Sequence, residues 1–115
     1  MKRFIALYLT PASVLKDWMQ VDAETCKAEE AKMGAEWDAW ATKYGSSIIE
    51  TSATGGTKRV TPDGIEDASN DVMMYSIVEA EDKEAAAAMF EGHPHLQIPQ
   101  ASIEVMNITP MAELG

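Results

Sequence analysis

Apolar positions along the chain recur with two different periods, and the changes of period set the expected elements. Residues 3–10, RFIALYLT, are apolar at both parities with aromatic and β-branched members, which predicts a strand buried on both faces. Thr10-Pro11 predicts a helix start, with Thr10 as N-cap and Pro11 at the first helical position. ASVLKDWM (12–19) then predicts a short helix. Over 22–44 the period changes. Ala23, Cys26, Glu30, Met33, Trp37, Trp40 and Tyr44 alternate at spacings of three and four, one stripe of a long helix. Gly45 follows as the expected left-handed cap.

SSIIETSAT (46–54) reads as a strand. Gly55-Gly56 reads as a tight turn, TKRVT (57–61) as the hairpin partner, and PDGIEDASND (62–71) as a polar loop. VMMYSIVEA (72–80) predicts another buried strand. Asp82 is placed to cap a helix over KEAAAAMFE, with Ala86, Met89 and Phe90 as its packing face and Gly92 as its stop. ASIEVMNIT (101–109) is the last strand, ended by Pro110.

The order is strand, helix, strand with a hairpin extension, strand, helix, strand. That is the split βαβ arrangement of an α+β, ferredoxin-like βαββαβ domain: an antiparallel sheet with helices on one face. At 115 residues we expect residues 1–115 to form one domain. One conflict adds information. The first and last strands carry apolar residues at both parities, whereas a sheet face left to water should be polar. A contiguous second apolar face marks an interface. We therefore expect a C2 homodimer packed through its sheet faces.

Composition narrows the function classes. A net charge of −10 argues against nucleic acid and anionic membranes as partners. No run of apolar residues reaches the length of a membrane span, and the N-terminal MKRFIALYLTP lacks the pattern of a cleaved signal. The single cysteine, Cys26, allows no intrachain disulfide. The expectation is a cytoplasmic protein. Neither GxxxxGK[ST] nor GxGxxG occurs, and no cofactor is expected.

Both histidines stand in FEGHPHLQIP, as His93 and His95 around Pro94. Gly92 and Pro94 stiffen the chain on either side of His93 and deliver His95 at a set angle. Two readings of His95 are open. It acts as acid or base on a substrate in the cleft, or it packs at the strand entrance and donates to a backbone carbonyl. We expect a carboxylate or tyrosine hydroxyl within hydrogen-bond reach of the His95 ring, and His93 to be the more exposed of the two. A metal held by His-x-His needs a third ligand such as Glu104, and no spacing announces one; no metal is expected. Glu30, on the apolar helix stripe, and Glu104, in mid-strand, are the candidate partners for His95 in catalysis, with Glu50 a further mid-strand carboxylate. Trp37 and Trp40 are candidates for a pocket lining, or for core. Tyr8 and Tyr75 are candidates to bring hydroxyls into the same cavity. Arg59 can grip a substrate carboxylate.

MMYSIVEAED, PHLQ and SIEVMNITPM resemble the YCII-related, DGPF-type family. Tyr75-Ser76-Ile77-Val78 matches its GYSIV-like strand, with Met74 where glycine is common. Pro94-His95-Leu96 matches its PHL-like turn, and Ser102-Ile103-Glu104-Val105 its IEV strand. Asp63-Gly64-Ile65 keeps two positions of the DGPF signature and loses the Pro-Phe pair. The resemblance implies a dimeric α+β barrel with a site between sheet and helices. It also implies lyase-like or isomerase-like proton transfer, independent of a cofactor, on a small organic acid or aromatic compound. A histidine–aspartate pair is suspected in some members; this chain has no histidine before His93, so only His95 is placed by motif. The alternative is a non-catalytic dimeric module that binds a metabolite or serves as an accessory subunit.

Overall fold

The structure, a computed structural model, describes residues 1–14 and 23–113. The elements are β1 (Lys2–Leu9), α1 (Ala23–Tyr44), β2 (Ile48–Ala53), β3 (Thr57–Thr61), β4 (Gly64–Ala68), β5 (Val72–Ala80), α2 (Lys83–Ala88) and β6 (Ser102–Asn107). Short 3₁₀ turns span Pro94–Gln97 and Met111–Glu113. Four strands form one sheet in the order β2-β5-β1-β6, each neighbour antiparallel. This is the α+β, ferredoxin-like arrangement.

Period-two alternation decides which side chains meet the helices. Phe4, Ala6 and Tyr8 of β1 lie on the helix side with Ser76, Val78 and Ala80 of β5, all buried. Trp40 of α1 and Ala86 of α2 join them, with Met89 and Phe90 just beyond α2. Both helices therefore cover one face, as expected. Asp82 caps α2, its Oδ1 accepting from the Ala85 N–H at 2.7 Å. The chain leaves that helix through Gly92 at φ 70°, a left-handed conformation that a Cβ disfavours.

Ile5 and Leu7 point to the opposite face, with Tyr75 and Ile77 on β5 and Glu104 and Met106 on β6. The sequence leaves the two parities of β1 undecided, since both are apolar.

Three local expectations need correction. Gly55-Gly56 is not the turn of a β2–β3 hairpin: β2 pairs with β5, and TKRVT pairs instead with Gly64–Ala68 as a separate two-stranded sheet. The stretch read as a polar loop thus contains β4. Pro62-Asp63 makes the turn because proline presets its own φ and Gly64 takes φ 130°. Secondly, Gly45 is not a left-handed cap; a Cβ there would lie 3.0 Å from the Ala41 carbonyl oxygen. Thirdly, the Thr10 hydroxyl caps nothing: it is buried without a hydrogen-bond partner among the described residues. Residues 12–14 are helical as expected, and the rest of the 12–19 helix lies outside the described residues, as does the side chain of Cys26. Among the described residues no helix is long and apolar enough to cross a membrane.

Candidate functional site

The His93–His95 segment is built by its neighbours in sequence. After α2 the chain tightens, with the Phe90 N–H donating to the Ala87 carbonyl and the His93 N–H to that of Phe90. Pro94 then opens the 3₁₀ turn, where its missing N–H costs nothing. His93 precedes it in an extended conformation, φ −59° and ψ 141°, as a residue before proline should. The His93 side chain caps this turn itself: its Nδ1 accepts the backbone N–H of His95 at 3.0 Å.

That bond determines the tautomer. With Nδ1 accepting, neutral His93 carries its proton on Nε2. The Nε2 atom is buried and has no hydrogen-bond partner among the described residues. Aromatic rings surround it. Trp37 and Trp40 stand nearly edge-to-face to the imidazole, with centroids 4.4 and 4.5 Å away. Tyr8 and Phe90 follow at 5.2 and 6.0 Å. Burial, reinforced by the neighbouring His95 charge, pushes His93 down to about 4. The ring is therefore neutral around pH 7.

His95 does different work. Its Nε2 donates to the Leu9 carbonyl at 3.0 Å. Leu9 and Ser102 are the last register pair of the β1–β6 ladder, and the His95 ring also hydrogen-bonds the Ser102 backbone. The imidazole staples the end of that ladder. Burial lowers its pKa, and the bonds to Leu9 and Ser102 oppose that effect without overcoming it. Of the two sequence readings, donation to a backbone carbonyl describes His95. Neither histidine is exposed, at 1% for His93 and 2% for His95, so the expectation that His93 is the more exposed is corrected.

Tyr8 lies at the centre of the cluster. Its ring meets Trp37 at 5.3 Å and His95 at 5.4 Å between centroids. Its hydroxyl bonds Ser76 Oγ at 2.7 Å, and Ser76 bonds Thr51 Oγ1 at 2.8 Å. Burial outweighs the Ser76 hydrogen bond and pushes the phenol up to about 12. Trp40 is anchored by donation from Nε1 to the Met89 carbonyl at 2.7 Å. Trp37 is half-buried and forms the outer side of the cage.

Of the predicted site residues, His93, His95, Tyr8, Trp37 and Trp40 come together. The others do not. Glu104 and Tyr75 sit on the opposite sheet face, where the strand alternation puts them. The Tyr75 hydroxyl donates to Glu50 Oε1 at 3.0 Å, so it shares no cavity with Tyr8. Glu30 is exposed, so the expected burial of its carboxylate is not found. Arg59 stands on the β3–β4 hairpin, 3.5 Å from Glu66. Among the described residues no carboxylate joins either imidazole and no three metal-ligating side chains converge. Sequence reasoning missed Ser76 as Tyr8's partner. A lone serine among apolar strand residues was the available signal.

No family model matches the chain, and no curated protein matches it. Among solved structures it is similar to a 5-chloro-2-hydroxyhydroquinone dehydrochlorinase, TftG from Burkholderia phenoliruptrix, in complex with 2,5-dihydroxybenzoquinone. The likeness covers 98% of each chain with a TM-score of 0.56 at 16% identity, and at that identity it shows the shared fold.

Proposed function

We propose that this protein is a small enzyme of the YCII-related type that moves protons on a small planar aromatic or quinonoid molecule without a cofactor, with His93 as the donor to a substrate oxygen. The observation that carries this reading is the buried, unpartnered Nε2–H of His93 inside a ring cage. A buried donor left unmade costs about 1–3 kcal/mol. His95, by contrast, has its Nε2–H taken up by the Leu9 carbonyl. With a pKa near 4, His93 is too weak a base to take a proton at neutral pH. As a neutral donor in a site of low dielectric, it is suited to stabilising an oxyanion. A hydroxyl on a quinonoid ring ionises readily because its charge spreads over the ring, so such a substrate needs a donor more than a strong base. The ligand of the dehydrochlorinase, 2,5-dihydroxybenzoquinone, is of this class.

The second reading is a module that binds such a molecule without turning it over. It is favoured by the carboxylates, since Glu30 is exposed and Glu50 and Glu104 lie away from the cage. In either case we propose a C2 homodimer packed through the face bearing Ile5, Leu7 and Ile77.

Tryptophan fluorescence titrated with 2,5-dihydroxybenzoquinone tests the site. Saturable quenching is expected, weakened at least tenfold by His93→Ala. Absence of saturable quenching by the folded wild type would remove both readings. Chloride release from 5-chloro-2-hydroxyhydroquinone then separates enzyme from module.

A further inference from the structure

Among the described residues two buried side-chain atoms have no hydrogen-bond partner, His93 Nε2 and Thr10 Oγ1. His93 serves in the proposed function; the Thr10 hydroxyl does not. A buried hydroxyl without a partner has given up water and gained no bond in exchange, so its retention needs a physical cause.

Local structure supplies none. Thr10 is 2% exposed. It stands before Pro11 and the helical residues 12–14, where a capping hydroxyl would accept a backbone N–H of the first turn. That turn is closed by backbone instead, the Val14 N–H donating to the Pro11 carbonyl at 3.0 Å. The Thr10 N–H donates to the Asp71 carbonyl at 2.9 Å. Only the hydroxyl is left over.

Its position ties it to the ring cage. The alternation that buries Phe4, Ala6 and Tyr8 continues to Thr10, which puts its side chain on the helix face beside Tyr8. Residues two apart along a strand are about 6.6 Å apart. The Tyr8 ring in turn meets His93 at 5.2 Å and His95 at 5.4 Å between centroids. The carbonyl that takes the His95 Nε2–H at 3.0 Å belongs to the Leu9–Thr10 peptide bond. The His95 backbone N–H is held by His93 Nδ1. Thr10 therefore adjoins Tyr8 and His95, the same two residues that border His93.

The two orphaned atoms suit one kind of ligand. His93 Nε2–H is a donor, and a threonine hydroxyl donates or accepts. Among the described residues no carboxylate joins the imidazoles to repel an anion. A planar ring with electron-rich oxygens at two positions can meet both atoms at once.

We propose that Thr10 is a second ligand contact of the cage, its hydroxyl hydrogen-bonding one oxygen of a planar ring whose other oxygen accepts from His93. The proposal rests on the reading of His93 as a ligand donor. The test measures the affinity of 2,5-dihydroxybenzoquinone by tryptophan fluorescence in wild type, Thr10→Val, Thr10→Ser and His93→Ala, with urea unfolding of each ligand-free protein. Valine keeps the branched shape and removes the hydroxyl. Thr10→Val should weaken binding at least fivefold without lowering the ligand-free urea midpoint, since the hydroxyl has no internal bond to lose. Thr10→Ser should hold affinity within threefold of wild type. A lowered midpoint for Thr10→Val, an affinity that this substitution leaves unchanged, or a loss that serine does not restore overturns the Thr10 contact. The reading of His93 then stands if wild type binds and His93→Ala weakens binding. A folded wild type that does not bind removes that reading and the Thr10 contact together.

Discussion

His93 accepts the backbone N–H of His95 through Nδ1 at 3.0 Å, and this bond commits the proton of neutral His93 to Nε2. The two histidines thereby take opposite roles although one residue separates them. His95 spends its ring on the backbone of β1 and β6, while His93 holds a donor inside a cage of rings. Exchanging their expected roles changes what each substitution should do.

Acid should destabilise the protein through His93. Its folded-state pKa of about 4 lies below the unfolded value of 6.5, so between these values the unfolded chain binds the extra proton. Stability then rises with pH across that window, is complete above about 6.5, and is lost as pH falls toward 4, by at most about 1.4 kcal/mol per pH unit for this one group. Urea unfolding at neutral and mildly acidic pH should show the decline in wild type and a shallower one in His93→Gln. Equal slopes in the two proteins would refute the assignment.

His95→Ala should cost stability and spare binding. Removing the ring leaves the half-buried Leu9 carbonyl without its side-chain donor, a loss of about 0.5–1.5 kcal/mol. Affinity for 2,5-dihydroxybenzoquinone should stay within a factor of a few for His95→Ala and fall with His93→Ala. The reverse pattern in paired denaturation and fluorescence titrations would restore His95 as the functional residue.

Trp40 rather than Trp37 should be the packing anchor of α1. Trp40 is buried and bonded to the Met89 carbonyl, whereas Trp37 is half-buried. Trp40→Ala should therefore destabilise by about 3–5 kcal/mol, with Trp37→Ala costing clearly less. Denaturant midpoints of the two variants check the order.

Tyr8 and Ser76 should be coupled. Ser76→Ala leaves the buried Tyr8 hydroxyl unpaired at a cost of about 1–3 kcal/mol, but adding Tyr8→Phe removes the orphaned group. The double variant should then be more stable than the sum of the single losses implies, and a double-mutant cycle in urea reads this directly. Strict additivity would show that the 2.7 Å bond contributes nothing.

Much of the fold was legible in the sequence because local patterns with strong physical causes carry it. The alternating three and four spacing around Trp37, Trp40 and Tyr44 requires a helix, the Asp82 carboxylate caps α2, and Gly92 permits the left-handed turn that ends it. The hairpin was misassigned because two glycine-bearing turn signals stood close together, and strand pairing across the sheet decided between them.

What the sequence by itself determined is the order of the four sheet strands and the two helices between them, the packing face of α2, and a stiff turn around Pro94. Only the tertiary structure decided which parity of β1 meets the helices, since apolar residues on both faces carry no parity signal. It also decided the fate of each imidazole. The contact between His95 and Leu9 joins positions 86 residues apart, and the rings around His93 come from β1, α1 and the end of α2. The properties that set a histidine's role, its burial and hydrogen-bond partners, are made by groups brought close only when the chain folds.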